Sequence, residues 1–336
     1  MRIHIYSHSF APSLGGMERL MHLLAEEFAQ LGHAVTVVTE TPGSADLPFP
    51  VVRAPSFAEY LRLTRNSDVI LSAPLSLRRL PAQLLSGRAV VVAHPILYPQ
   101  RGQAISADLK RFAARLVTGV VPSRFMADHF PGARVIPNPY DAATFRPPGT
   151  KRARRGILYV GRLDAEKGCD LLIEALTKSQ AGPTTRLTIV GSGPQRSKLE
   201  AQVARLGLAG QVTFRGALVG ADLAAAMQDH AVMVVPTRCE EAFGIVALEG
   251  LACGCRMIVA ESGGLPEAVG PHALTFPRGS AQELADCLDL ALSPDAEVPS
   301  HTAVADHLAR FQPRRIAADY LAVLEAAVAK GPKAQA

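Results

Sequence analysis

The chain has no tryptophan in 336 residues, and aromatic residues of all kinds make up only 5%. A groove that stacks nucleic acid needs aromatic platforms set among basic residues. No such pattern occurs, so no nucleic-acid partner is expected. Cysteine is scarce: Cys169, Cys239, Cys253, Cys255 and Cys287 are all there is. None forms a C-x-x-C pair, and Cys253 and Cys255 stand too close for the usual zinc spacing. Reduced thiols in a cytoplasmic protein account for them most simply. No apolar run reaches the roughly 18 residues that cross a bilayer. Arg2-Ile3-His4-Ile5-Tyr6 opens as a strand and not as a leader peptide. The expected location is therefore cytoplasmic, with any membrane contact peripheral, on the inner face. The dinucleotide fingerprint G-x-G-x-x-G is never completed, which argues against a nicotinamide-dependent oxidoreductase.

Apolar residues are plentiful at 48%, enough at this length for two separate cores. The net charge of +5 is unevenly placed. Residues 1–150 hold 15 Lys and Arg against 10 Asp and Glu, whereas the remainder holds 20 of each. The first half therefore suits an anionic partner or surface. Short apolar strands alternate with amphipathic helices. Ile3–Tyr6, Ala34–Thr39, Val69–Ser72, Ala89–Ala93 and Gly119–Val121 read as strands in the first half. Gly156–Gly161, Arg186–Val190, Gln211–Phe214, Ala231–Pro236 and Met257–Ala260 read as strands in the second. The cluster Arg146-Pro147-Pro148-Gly149-Thr150-Lys151-Arg152 between them has linker chemistry. The fold class is α/β, with two doubly wound Rossmann-like domains, 1–148 and 151–312, expected to face an interdomain cleft at their strand C-termini.

The densest chemistry lies in Cys239-Glu240-Glu241-Ala242-Phe243-Gly244-Ile245-Val246-Ala247-Leu248-Glu249. It reads as a loop feeding a buried helix that closes at Cys253-Gly254. A helix start presents free N–H groups and partial positive charge to a phosphate. Glu241 would sit above that anion, and Glu249 roughly 12 Å further along at 1.5 Å per residue. An ordinary helix with solvated acids would show the same letters. In Gly161-Arg162-Leu163-Asp164-Ala165-Glu166-Lys167, the two cations leave one strand end together. They suit a diphosphate, or else pair with Asp164 and Glu166. Gly191-Ser192-Gly193-Pro194, Gly263-Gly264 and Gly15-Gly16 mark further turns, each either a tight turn or a close approach to a ligand. His94 ends a strand, as a site residue or a turn histidine.

Taken in order, these elements resemble glycosyltransferase family 4, retaining enzymes of the GT-B fold. The resemblance covers about residues 1–290 and is strongest over 156–270. It implies that Arg162 and Lys167 hold the diphosphate of a nucleoside-diphosphate-sugar donor and that Glu241 contacts the transferred sugar. The backbone of Ala242, Phe243, Gly244 and Ile245 would follow sugar and phosphate, and Glu249 would bind the ribose. Gly16 would close on the phosphate from the first, acceptor-binding domain, and His94 would touch the sugar from that side as a catalytic group beside Glu241. The resemblance implies neither metal nor cofactor, a sugar or lipid-linked acceptor, and a last helix near 313–330 that crosses back to the first domain. Pro139 and Ala242 replace the family's commoner glycines, and the first domain is short. A nucleotide-sugar epimerase and a non-catalytic nucleotide-sugar-binding protein remain alternative readings.

Arg78, Arg79, Arg101, Lys110, Arg111, Arg115 and Arg124 crowd part of the first domain, and Ile105, Leu109, Phe112, Ala113 and Leu116 recur at helical spacing alongside Lys110, Arg111 and Arg115. Two readings fit. The helix packs its apolar face on the sheet and wets its basic face, or it docks on an anionic membrane.

Overall fold

A computed structural model describes residues 1–12, 15–44, 46–98, 104–149, 153–182, 185–296 and 300–331. Leu14 before the first glycine turn, Arg101 of the basic patch, linker residues 150–152 and the tail from 332 lie outside the described residues. The chain divides into two units, Met1–Pro139 with Phe311–Ala336, and Tyr140–Arg310.

The first unit runs β1 (Arg2–Ser7), α1 (Gly16–Gln30), β2 (Ala34–Thr39), β3 (Val51–Arg53), α2 (Phe57–Arg65), β4 (Val69–Ala73) and α3 (Leu80–Leu85). It continues with β5 (Ala89–Ala93), α4 (Ile105–Ala114), β6 (Thr118–Val121), α5 (Arg124–His129) and β7 (Arg134–Val135). Its parallel sheet has the order β3-β2-β1-β4-β5-β6-β7. Every residue of β4 and β5 is buried, as helices on both faces require. α1 buries Leu20, Met21, Leu24, Ala25 and Phe28, a stripe at helical period.

The second unit runs β8 (Ile157–Val160), α6 (Cys169–Lys178), β9 (Leu187–Val190), α7 (Arg196–Arg205), β10 (Val212–Gly216), α8 (Gly220–Asp229) and β11 (Val232–Val235). Then come α9 (Ile245–Ala252), β12 (Arg256–Ala260), α10 (Leu265–Val269), β13 (Ala273–Phe276), α11 (Ala281–Leu292) and α12 (His301–Leu308). The sheet is again parallel, in the order β10-β9-β8-β11-β12-β13. β8 and β11 lie side by side, and the strand series runs outward from them in opposite directions. Connections diverge there and leave a crevice at the strand C-termini. The last helix, α13 (Pro313–Lys330), is part of the first unit. Its Ile316, Ala317, Tyr320 and Leu324 share a core with Ile5, Val37, Leu71 and Phe28.

The apolar stripe expected on α4 is split, with Ala113 inside and the large residues outside. α4 buries only Ala107 and Ala113 and leaves Ile105, Leu109 and Phe112 facing solvent. The sheet beneath takes the small residues and not the large ones.

Candidate functional site

The loops after β8 and β11 meet at the switch point of the second unit. Lys167 closes the short turn Ala165–Lys167, whose N-cap Asp164 accepts from the Lys167 N–H. Its ammonium reaches across to Glu241 in the β11–α9 loop, with Nζ 2.6 Å from Oε1. Both side chains are partly buried. Burial pulls the Lys167 pKa down, but the Glu241 charge and hydrogen bond outweigh it and leave the pKa raised. Cys239 Sγ sits 3.9 Å from both partners. Arg162 leaves the same strand end, 77% exposed and paired with Asp164 at 3.2 Å. That is the local ion pair the alternative reading anticipates, yet the fork stays open to solvent and to an arriving anion.

Backbone contacts fix the β11–α9 loop. The Arg238 and Cys239 N–H groups both donate to Glu166 O, at 2.7 and 3.3 Å. Arg238 grips Asp170 of α6 with both guanidinium arms. Ser262 donates to Cys239 O, and the Gly264 N–H donates to Glu241 O at 2.8 Å. Gly263, at φ +55, lies so close that an added Cβ would stand 2.1 Å from Glu241 O. The Gly263-Gly264 turn is thus a support for the Glu241 backbone. Phe243 is buried and anchors the loop's far end, and Gly244 begins α9 with no side-chain cap. Glu249 is buried on that helix, five residues in.

The Gly191-Ser192-Gly193-Pro194 turn locks onto the β8 loop. Leu163 N–H donates to Ser192 O, and Gln195 N–H to Leu163 O, both at 2.9 Å. Tyr159 of β8, buried, donates its hydroxyl to Arg162 O at 2.8 Å and so sets the exit of that arginine. The sequence motifs do not point to Arg238 or Ser262, because each acts through a contact distant in sequence, nor to Tyr159, whose hydroxyl bond to the neighbouring loop leaves no mark in a strand's apolar pattern. A cavity of about 640 Å³ lined by Arg256, His272, Leu274 and Leu290 lies at the amino-terminal ends of β12 and β13, the wrong end of the sheet for this chemistry.

The first-unit candidates stand apart from this cluster in sequence. Gly16 opens α1, with Gly15 as its N-cap. His94 follows β5 and is 1% exposed. Its Nδ1 lies 2.9 Å from the Tyr98 hydroxyl, and its ring stacks on Phe130 at 4.4 Å. Burial lowers its pKa to about 4, so it is neutral at physiological pH.

Residues 142–303 match the family model described as glycosyl transferases group 1. A D-inositol 3-phosphate glycosyltransferase of Acidothermus cellulolyticus is 36% identical over 199 residues, covering 51% of this chain and 44% of that protein. The gpi3 subunit of the phosphatidylinositol N-acetylglucosaminyltransferase of Schizosaccharomyces pombe is 26% identical over 328 residues, covering 85% and 72%. The chain spans less than half the length of the first curated relatives it matches. Among solved structures, Anabaena Alr3699/HepE in complex with UDP and glucose has a TM-score of 0.82 at 20% identity, covering 97% of this chain and all of that one. The fold is GT-B, built on two parallel Rossmann-like sheets. The family match spans the loops that carry Arg162, Lys167 and Glu241 and the helix that carries Glu249.

Proposed function

We propose that the protein is a retaining, metal-independent glycosyltransferase of the family 4 type. It would move a sugar from a nucleoside-diphosphate donor to the hydroxyl of a sugar or lipid-linked acceptor, from the cytoplasm at the inner membrane face, in glycan or envelope polysaccharide synthesis. The observation that carries this reading is the Lys167–Glu241 pair at the β8/β11 switch point, inside the segment that matches glycosyl transferases group 1. Arg162, Lys167 and the start of α9 supply positive charge for the departing diphosphate, a task that a metal performs elsewhere. Glu241 orients the sugar and favours the positive charge that develops at its anomeric carbon. Glu249 takes the ribose hydroxyls, and the backbone of Ala242, Phe243, Gly244 and Ile245 lies along the sugar and phosphate. By the family resemblance, Gly16 and His94 of the acceptor-binding unit would contact the phosphate and the sugar, His94 as a neutral hydrogen-bonding group.

In the proposed reaction the bond from the anomeric carbon to the phosphate oxygen breaks. The acceptor oxygen then bonds to the same face of that carbon. The acceptor's proton passes to the leaving phosphate, so no separate base is needed. UDP-glucose, bound by a structural neighbour, is the first donor to try.

A thermal-shift screen against UDP-, GDP- and ADP-sugars tests donor binding. A true donor at about 100 times its dissociation constant adds roughly 2.7 kcal/mol of stability. NMR of the product then reads the anomer, with and without a chelator. An inverted anomer, or activity lost to the chelator and restored by a divalent cation, overturns the mechanism. Turnover of the donor to an epimer with no acceptor present replaces it with the epimerase reading.

A further inference from the structure

We propose that α4 docks this protein on an anionic lipid bilayer by inserting Ile105, Leu109 and Phe112 among the headgroups. The proposal gives the peripheral membrane contact of the preceding reading a defined surface. It stands on the first unit alone and needs no assumption about catalysis.

Three large apolar side chains on one short helix are exposed, Ile105 by 90%, Leu109 by 51% and Phe112 by 60%. At 100° per residue they fall within a sector of roughly 60°. A helix that packs on its sheet turns such a stripe inward, whereas α4 turns it out and buries Ala107 and Ala113. Lys110 falls to one side of the stripe and Arg111 and Arg115 to the other, against Asp108 as the lone acid. Asp108 is engaged by Arg111 at 3.0 Å, and the Lys110 ammonium rests 5.7 Å from the Tyr98 ring centroid. An apolar stripe with basic residues on both flanks is the pattern of a helix lying in the membrane interface plane.

The flanking charge selects the occupant. Basic residues on both sides match an anionic surface and repel one like themselves. The stripe is also narrow: ten residues of helix span about 15 Å. A stable protein interface buries roughly 800 Å² on each partner, more than this stripe offers. A bilayer needs no matching shape and takes the stripe as it stands.

The absence of tryptophan makes the test site-specific. Phe112→Trp places the only indole of the chain on the stripe. With vesicles of phosphatidylglycerol and phosphatidylcholine, its emission should shift to the blue and be quenched by brominated acyl chains. Phosphatidylcholine alone should do neither. Lys110→Gln and Arg115→Gln should each lower vesicle partitioning roughly fivefold, and salt should lower it further. A triple serine variant at Ile105, Leu109 and Phe112 should lose sedimentation with the vesicles at least tenfold while melting like the parent, because these side chains face solvent in the fold. No sedimentation of the parent, or sedimentation with an unshifted indole, overturns the proposal. A lipid-free dimer in ultracentrifugation that the serine variant abolishes also overturns it and assigns the face to a second copy of the chain. None of these readouts involves sugar transfer, so this proposal and the catalytic one fail separately.

Discussion

Lys167 Nζ lies 2.6 Å from Glu241 Oε1, and this contact joins the two loops of the switch point in the second unit. In the proposed site one partner serves the diphosphate and the other the sugar. Without donor, each neutralises the other. In that proposal a diphosphate arriving at Lys167 would compete with Glu241, and the exchange would free the carboxylate for the sugar hydroxyls. Glu241→Gln removes the competitor. Binding of the nucleoside diphosphate alone should then hold or tighten, while transfer falls. Lys167→Met should lose roughly 10- to 100-fold in kcat/KM, the worth of one charge-assisted contact. Calorimetry with the diphosphate decides: an equal loss of affinity in both variants contradicts the exchange.

The two glutamates of the motif should separate in steady-state kinetics. Glu241 is proposed to meet the reacting sugar, so Glu241→Gln should mainly lower kcat. Glu249 is buried in α9 and is proposed to hold the ribose in ground and transition states alike. Glu249→Gln should mainly raise the donor KM. Glu240, which pairs with Arg278 at 2.6 Å, serves as the neighbouring control. Glu240→Gln should stay within about twofold of the parent. The reverse assignment of kcat and KM effects rejects the division of roles.

His94 makes stability depend on pH. Burial holds its folded pKa at about 4, against 6.5 when it is not buried. Between those values the unfolded chain binds the extra proton. The stabilisation is therefore complete above pH 6.5 and is lost as pH falls toward 4, a difference of about 3 kcal/mol. Buried His4, held at about 3 by the same cause, adds to the slope. Denaturant unfolding of His94→Gln across this window should show a shallower pH dependence than the parent. An unchanged slope would mean that the imidazole is already solvated in the folded protein.

The long elements were legible because burial imposes a period on them. Ala34–Thr39 and Ala89–Ala93 fall where the pattern puts them, and α9 ends at Cys253-Gly254 as its C-cap signal requires. The short elements carry too few residues for a period: β7 is two exposed residues, and α3 and α5 have six each. α2 did leave a signal, since Ser56 caps the Glu59 N–H in an S-x-x-E box. In the site, the motif letters name the charged residues because loop chemistry is local. They do not name what holds those residues. The Arg238 grip on Asp170 and the Ser262 bond to Cys239 O join loops far apart in sequence, and the alternation of strand and helix carries no trace of them.

Gly263 is the sharpest test of that support. Its φ of +55 disfavours any side chain, and a Cβ would stand 2.1 Å from Glu241 O, a backbone atom that cannot rotate away. Gly279 gives the matched control, with φ +86 and nothing within 4 Å of an added Cβ. Gly279→Ala should cost only backbone strain, roughly 1–2 kcal/mol. Gly263→Ala should cost that plus an overpacking penalty of about 1–3 kcal/mol. The penalty falls on the peptide that carries Glu241, so kcat should drop in Gly263→Ala and hold in Gly279→Ala. Thermal melting and steady-state kinetics on the two variants separate the effects. Equal stabilities and equal kcat values would show that the glycine turn does not position Glu241.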